Sequence, residues 1–187
     1  MTALAPPPVS ATAALAARRR RLAGEARGRV LDLGGYEHQR GGYRPGEVHE
    51  VVAWDAGPPR LDLTEAWPLR LVAELDDAAA LGPFDTVVSV LAVARAADPA
   101  RLLDAAARAL HPAGRLLLLE PSVRPGWRGA LARRLAPRVA RRSGLWVDRN
   151  VPALVRAAGL QIVSVERIDM PTLATPFRPF VEAVAVP

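Results

Sequence analysis

The residues with most chemical character gather where an apolar run meets two glycines, in Val30-Leu31-Asp32-Leu33-Gly34-Gly35-Tyr36-Glu37-His38. A buried strand that ends in glycines makes a turn whose backbone a ligand can approach closely. Asp32 puts a carboxylate beside that turn. It would repel a pyrophosphate and favour a ligand carrying an amine or a sulfonium. The dinucleotide pattern G-x-G-x-x-G is absent, because no glycine stands three places beyond Gly35. A second acid, Asp55, follows Gly34 by about 20 residues, the distance at which adenosine-binding folds place a carboxylate for the ribose diol. Asp55 is equally read as a solvated residue opening a turn with Gly57-Pro58.

These groups need a sheet to position them. Arg29 to Leu33, Glu47 to Trp54, Leu69 to Leu75, Phe84 to Leu91 and Arg115 to Glu120 have the apolar or β-branched character of strands. Ala11 to Ala23 is rich in alanine and arginine and predicts a helix. Asp98 is a good N-cap, with Pro99 in the first helical position. Leu102, Leu103, Ala106 and Leu110 form one apolar face, and His111-Pro112-Ala113-Gly114 ends the helix. Strand, helix and strand at this spacing make a βαβ unit with parallel strands. Farther on, a helix from Val151 to Ala158 stops at Gly159 and leads into a strand from Leu160 to Ile168. A proline-rich link without helical character then reaches Phe180 to Val186. A parallel crossover needs a helix, so these last two strands are expected to be antiparallel neighbours. In such open sheets ligands bind beyond the carboxyl ends of the strands, at Gly34 to His38, Asp55, Asp76-Asp77 and Ser89 to Val93.

Composition bounds the rest. The chain has 187 residues, half of them hydrophobic and 24% charged, enough for one domain with a sizeable core. Residues 1–10, with Pro6-Pro7-Pro8, read as a loose arm, and residues 11–187 as the domain. There is no cysteine, which excludes disulfides, thiolate metal sites and cysteine nucleophiles. No apolar run approaches the length of a membrane span, and the N-terminal alanines precede the arginines, the reverse of a secretory signal. The expectation is a cytoplasmic protein. All 25 basic residues are arginine and the net charge is +6, which tolerates an anionic partner. No aromatic-basic interleaving points to nucleic acid, so no nucleic-acid partner is expected.

Four segments together resemble the class I S-adenosylmethionine-dependent methyltransferases, nearest the small ubiquinone/menaquinone-biosynthesis-type and methyltransferase-like branch. They are Arg29 to Gly35, Tyr43 to Asp55, Gly82 to Pro121 and Gly144 to Leu160. The resemblance implies a Rossmann-like α/β fold with helices on both faces of a mostly parallel seven-stranded sheet whose last strand is antiparallel. It implies S-adenosylmethionine as cofactor and a small molecule as methyl acceptor. By the same resemblance, Asp32, Gly34 and Gly35, with Tyr36 beside them, would meet the methionine end of the cofactor. Asp55 would hold the ribose and Asp77 with Ala78 would meet the adenine. Ser89 to Leu91 would line the methyl-donor side. No catalytic residue and no metal ligand is assigned.

The sequence also departs from that family. Tyr36 and His38 stand where the family loop has glycines, so either the loop has a new shape or its pocket is partly filled. The segment after Asp55 is short and broken by prolines, and Trp67 is available to replace the missing wall. His38 is read as a plug or a surface residue, His49 lies at the wrong end of its strand, and His111 sits in a helix-ending turn. Trp127 to Arg142 carries Leu131, Leu135 and Val139 every four residues among arginines. It reads as an amphipathic helix packed on the sheet with a solvated basic face, or as a lid that meets anionic head groups or a lipid surface. Two functions stay open: a small-molecule methyltransferase, and a non-catalytic relative that keeps the fold as a binding or partner module.

Overall fold

The computed structural model describes residues 9–54, 66–123, 126–170, 173 and 178–187. Asp55 and its Gly57-Pro58 turn lie outside the described residues, as do residues 1–8 of the expected arm. Seven strands form one sheet: β1 (Gly28–Leu33), β2 (Val48–Trp54), β3 (Leu69–Val72), β4 (Phe84–Val90), β5 (Leu110–Pro121), β6 (Gln161–Asp169) and β7 (Pro179–Val186). Their order is β3-β2-β1-β4-β5-β7-β6. The first five strands pair in parallel, and β7 is antiparallel to both β5 and β6. The fold is the expected mostly parallel sheet with its last strand reversed.

Alternation along the central strands feeds two apolar layers. Leu31, Val87, Leu116 and Leu118 face one cluster, while Val30, Val88, Leu117 and Leu119 face the other. A strand buried on both faces must be apolar at every position, which is why β5 reads Leu-Leu-Leu-Leu. The first cluster includes residues of helices α3 (Leu75–Ala80), α5 (Pro99–Ala109) and α7 (Val151–Ala157). Helix α5 is capped as expected, the Asp98 carboxylate accepting from the Ala100 and Arg101 N–H groups at 3.0 Å. The second cluster takes in Leu22 and Ala23 of helix α1 (Val9–Ala23). That helix is tied to the far edge of the sheet: Arg18 meets Glu182 of β7 at 3.1 Å and Glu166 of β6 at 3.4 Å, and Arg21 also pairs with Glu182.

The differences from expectation are local. Strand β3 stops at Val72, and Leu75 opens a helix instead of closing a strand. As an edge strand that pairs with β2 alone, β3 has little to extend along. Helix α1 begins at Val9, inside the segment expected to be loose. The short helices α2 (Tyr36–Gln39) and α4 (Ala92–Arg95) follow directly on β1 and β4. Helix α6 (Trp127–Ser143) runs through Pro137, which is exposed and removes a single helical N–H. Leu131 and Leu135, expected to pack that helix on the sheet, are 50% and 37% exposed.

Candidate active site at the carboxyl ends of β1 and β4

The strand order reverses between β1 and β4, so the crevice a ligand would use opens above their carboxyl ends. Gly34 leaves β1 with φ +69°, a left-handed conformation that favours glycine, and its N–H donates to the Trp54 carbonyl at 2.8 Å. Asp32, two residues earlier, is fully buried on the face of the second cluster. The Tyr43 hydroxyl donates to one of its oxygens at 2.6 Å and the Gln39 amide to the other at 3.2 Å. Burial, and next the adjacent Asp32 carboxylate, hold the Tyr43 phenol well above its ordinary pKa, so it stays a donor. Gln39 turns its amide nitrogen to Asp32, which leaves Oε1 buried with no partner among the described residues. A side chain at Gly35 would come within 2.8 Å of that same amide nitrogen.

The two residues that replace family glycines behave differently. Tyr36 starts α2 and is 2% exposed. Its ring stacks on Tyr43 with centroids 6.1 Å apart, its hydroxyl accepts from the Trp67 indole at 3.0 Å, and Trp67 meets Tyr43 edge-on. The three rings form one aromatic block beside the turn. His38 is exposed, so of its two readings the surface one holds.

Across the crevice, β4 is followed by Leu91, a non-glycine residue with φ +61°. That conformation costs roughly 1–2 kcal/mol. It turns the chain sharply into α4, so that the Val93 and Ala94 N–H groups donate at 3.0 and 3.1 Å to the carboxyl group of Glu120 at the end of β5. Ser89 adds its hydroxyl at 2.9 Å. Burial pushes the Glu120 carboxyl up to about 7 in spite of these donors. Arg149 donates to the Val93 and Ala96 carbonyls and so clamps the same short helix. Arg95, at the end of α4, reaches back to the Gly34 carbonyl at 3.4 Å. Arg19 of α1 has a buried Nε with no partner among the described residues. Burial, then the like charge of Arg95, lower its pKa.

The structure therefore gathers Asp32, Gly34, Gly35 and Tyr36 at one turn, with Leu91 opposite through its neighbour Ala92, 3.7 Å from where a Gly34 Cβ would lie. Ser89 is buried and turned to Glu120, on the sheet face opposite Asp32. Asp77 is exposed on α3, and Ala78 beside it is fully buried in the first cluster. Sequence reasoning missed Gln39, Tyr43, Glu120, Arg19 and Arg95. Only Glu120 gave a signal, as an acid closing an otherwise apolar strand.

The sequence profile of a family described as a methyltransferase domain matches residues 10–165. No curated protein matches the sequence. Solved structures share the fold at low identity. A chain from the complex of the Haloferax volcanii Trm112 methyltransferase activator with its methyltransferase candidate is 14% identical, with a TM-score of 0.64 over 95% of this chain and 94% of that one. CalO1, a methyltransferase of calicheamicin biosynthesis solved with S-adenosylhomocysteine, is 20% identical at a TM-score of 0.62, covering 94% of this chain and 55% of its own. The Burkholderia thailandensis 1,6-didemethyltoxoflavin-N1-methyltransferase, solved with its substrate and S-adenosylhomocysteine, is 17% identical at 0.57, over 95% and 78%. With the matching profile spanning most of its length and its sheet in the order β3-β2-β1-β4-β5-β7-β6, the chain belongs to the class I S-adenosylmethionine-dependent methyltransferases.

Proposed function

We propose that the protein transfers a methyl group from S-adenosylmethionine to a small molecule in the cytoplasm, with the methionine end of the cofactor against the Gly34–Gly35 turn. The observation that carries this reading is the set of unmatched polar groups around the turn. Among the described residues, Gln39 Oε1 is a buried acceptor without a donor and Arg19 Nε is a buried donor without an acceptor, and the positive charge of Arg95 acts on Arg19. The methionine end of the cofactor carries an ammonium, a carboxylate and a sulfonium. Gln39 suits the ammonium, Arg19 and Arg95 suit the carboxylate, and the buried Asp32 charge suits the sulfonium. The residues present therefore fit the group.

When bound, the cofactor supplies an electrophilic methyl group on sulfur. The chain's own part is alignment and exclusion of water, which can provide most of the rate. Tyr43 and Gln39 fix the Asp32 carboxylate, and Gly34 offers backbone without a side chain. Leu91 turns α4 so that Arg95 faces the turn, while Ser89 and Glu120 hold the start of that helix. Asp55 for the ribose and Asp77 with Ala78 for the adenine complete the proposed set.

Calorimetric titration with S-adenosylhomocysteine tests this, with Arg95→Met alongside. Micromolar binding is expected. Loss of one charge-assisted hydrogen bond, about 1.5–3 kcal/mol, should weaken it roughly 10- to 100-fold in the variant. No binding at millimolar ligand would overturn the proposal. One observation favours a second reading, a binding module without cofactor. Tyr36, locked between Tyr43 and Trp67, fills volume that the family gives to glycine. Absence of binding by the wild-type chain, restored in Tyr36→Gly, would support that reading.

A further inference from the structure

Helix α6 follows the carboxyl end of β5, and just past it the Trp146 N–H donates to the Ala94 carbonyl of α4 at 2.8 Å, so the chain enters and leaves this helix at the end of the sheet that carries the crevice. Six of the chain's 25 arginines fall in it (Arg128, Arg133, Arg134, Arg138, Arg141 and Arg142) and none of its 19 acids. The other 19 arginines are matched by those 19 acids, so the whole net charge of +6 belongs to this one helix. Among its residues with described side chains, only Gly129 and Ala136 are buried. They mark the side turned to the protein. Leu131 and Leu135 point away from it and are 50% and 37% exposed. At 100° per residue, Arg134, Arg138 and Arg142 stand around the same outward face as these leucines. None of the five arginines from Arg133 to Arg142 has a carboxylate partner among the described residues.

We propose that α6 docks the protein on an anionic lipid surface. The helix would lie in the interface, Leu131 and Leu135 inserted among the acyl chains and the arginines reaching up to phosphate groups. A bilayer surface provides apolar and anionic surroundings within one side-chain length, and arginine can satisfy both, its stem in the apolar layer and its guanidinium at the headgroups. Nucleic acid would answer the charge but offers nothing to two leucines at the centre of the basic face. The helix is about 25 Å long, enough for several headgroup contacts along one line. No helix of the described residues is long and apolar enough to cross a membrane, so the attachment is peripheral and reversible. The inference does not depend on methyl transfer.

Co-sedimentation of the full chain with vesicles tests it, using phosphatidylcholine alone and with about one-third phosphatidylglycerol. Two variants accompany the wild type: Leu131→Gln with Leu135→Gln, and Arg134→Gln with Arg138→Gln and Arg142→Gln. All five positions are exposed, so the variants should fold, which circular dichroism checks. The wild type is expected to bind the anionic vesicles at least about tenfold more strongly than the neutral ones, and both variants to lose about tenfold or more. Failure of the wild type to bind anionic vesicles would overturn the proposal. So would a leucine variant that binds like wild type, since the contact would then be charge alone. Tighter binding to duplex DNA or RNA, indifferent to the leucines, would assign the helix to nucleic acid instead.

Discussion

Replacing Glu120 by glutamine should remove a slope in stability that the wild type shows between about pH 4.5 and 7. The carboxyl group is fully buried, and burial moves its pKa from 4.5 to about 7 although Val93, Ala94 and Ser89 all donate to it. The folded state therefore holds this proton more tightly than the unfolded chain does. Its contribution is complete below the unfolded pKa and is lost as the pH rises through 7. A shift of about 2.5 pKa units corresponds to roughly 3 kcal/mol, lost at up to about 1.4 kcal/mol per pH unit. The assay is urea denaturation at half-unit steps from pH 4.5 to 8 for wild type and Glu120→Gln. The variant also gives up an acceptor beside Ala94, so absolute values will differ. The difference between the two curves is what carries the test, and it should change by about 3 kcal/mol in favour of the variant across the range. Parallel curves would refute the reasoning. They would mean that the N–H groups at the start of α4 outweigh burial and keep the carboxylate ionised throughout.

Tyr43→Phe should cost about 1.5–3 kcal/mol in urea denaturation at pH 7, because a buried carboxylate loses one of its donors. The raised phenol pKa also predicts that wild-type stability is full below about pH 10 and falls above it; the variant should show a shallower alkaline loss in the same measurement. Tyr36→Gly should destabilise by about 3–5 kcal/mol, as expected for emptying a buried aromatic site, and the near-ultraviolet circular dichroism of Trp67 should collapse with it. Gly34→Ala should cost about 1–2 kcal/mol in thermal or urea unfolding through its positive φ, with no steric clash against Ala92.

The sheet was legible in the sequence because its strands carry their own pattern. β4 is rich in β-branched residues and β5 carries four leucines in a row, and the proline-rich link before β7, without helical character in its sequence, announces a reversed strand. The short helices α2 and α4 were not legible: four residues give no period to read, and α4 depends on a leucine held in a left-handed turn. At the site, Asp32 and the glycines stood out by type and place. Gln39 and Tyr43 did not, because their importance is that both point at one buried carboxylate, a fact of tertiary packing. Arg19 and Arg95 are 76 positions apart in numbering, and only the fold brings them near enough for one charge to act on the other. Leu131 and Leu135 have helical spacing, which reads as packing; that they face outward is decided by where α6 leaves β5, not by their spacing.

The pairing of β7 between β5 and β6 has a consequence for how the chain is made. On the ribosome, residues 28–121 can assemble five parallel strands while residues 179–186 are still to come. Until then the β5 edge, a row of leucines with unpaired backbone groups, stays open to any other chain. Helix α1, made before the sheet, has no Glu166 or Glu182 to pair with until β6 and β7 follow. The pairing of α1 with β7 therefore comes late, and a chain stalled before β7 should be a target for chaperones rather than a smaller version of the same domain.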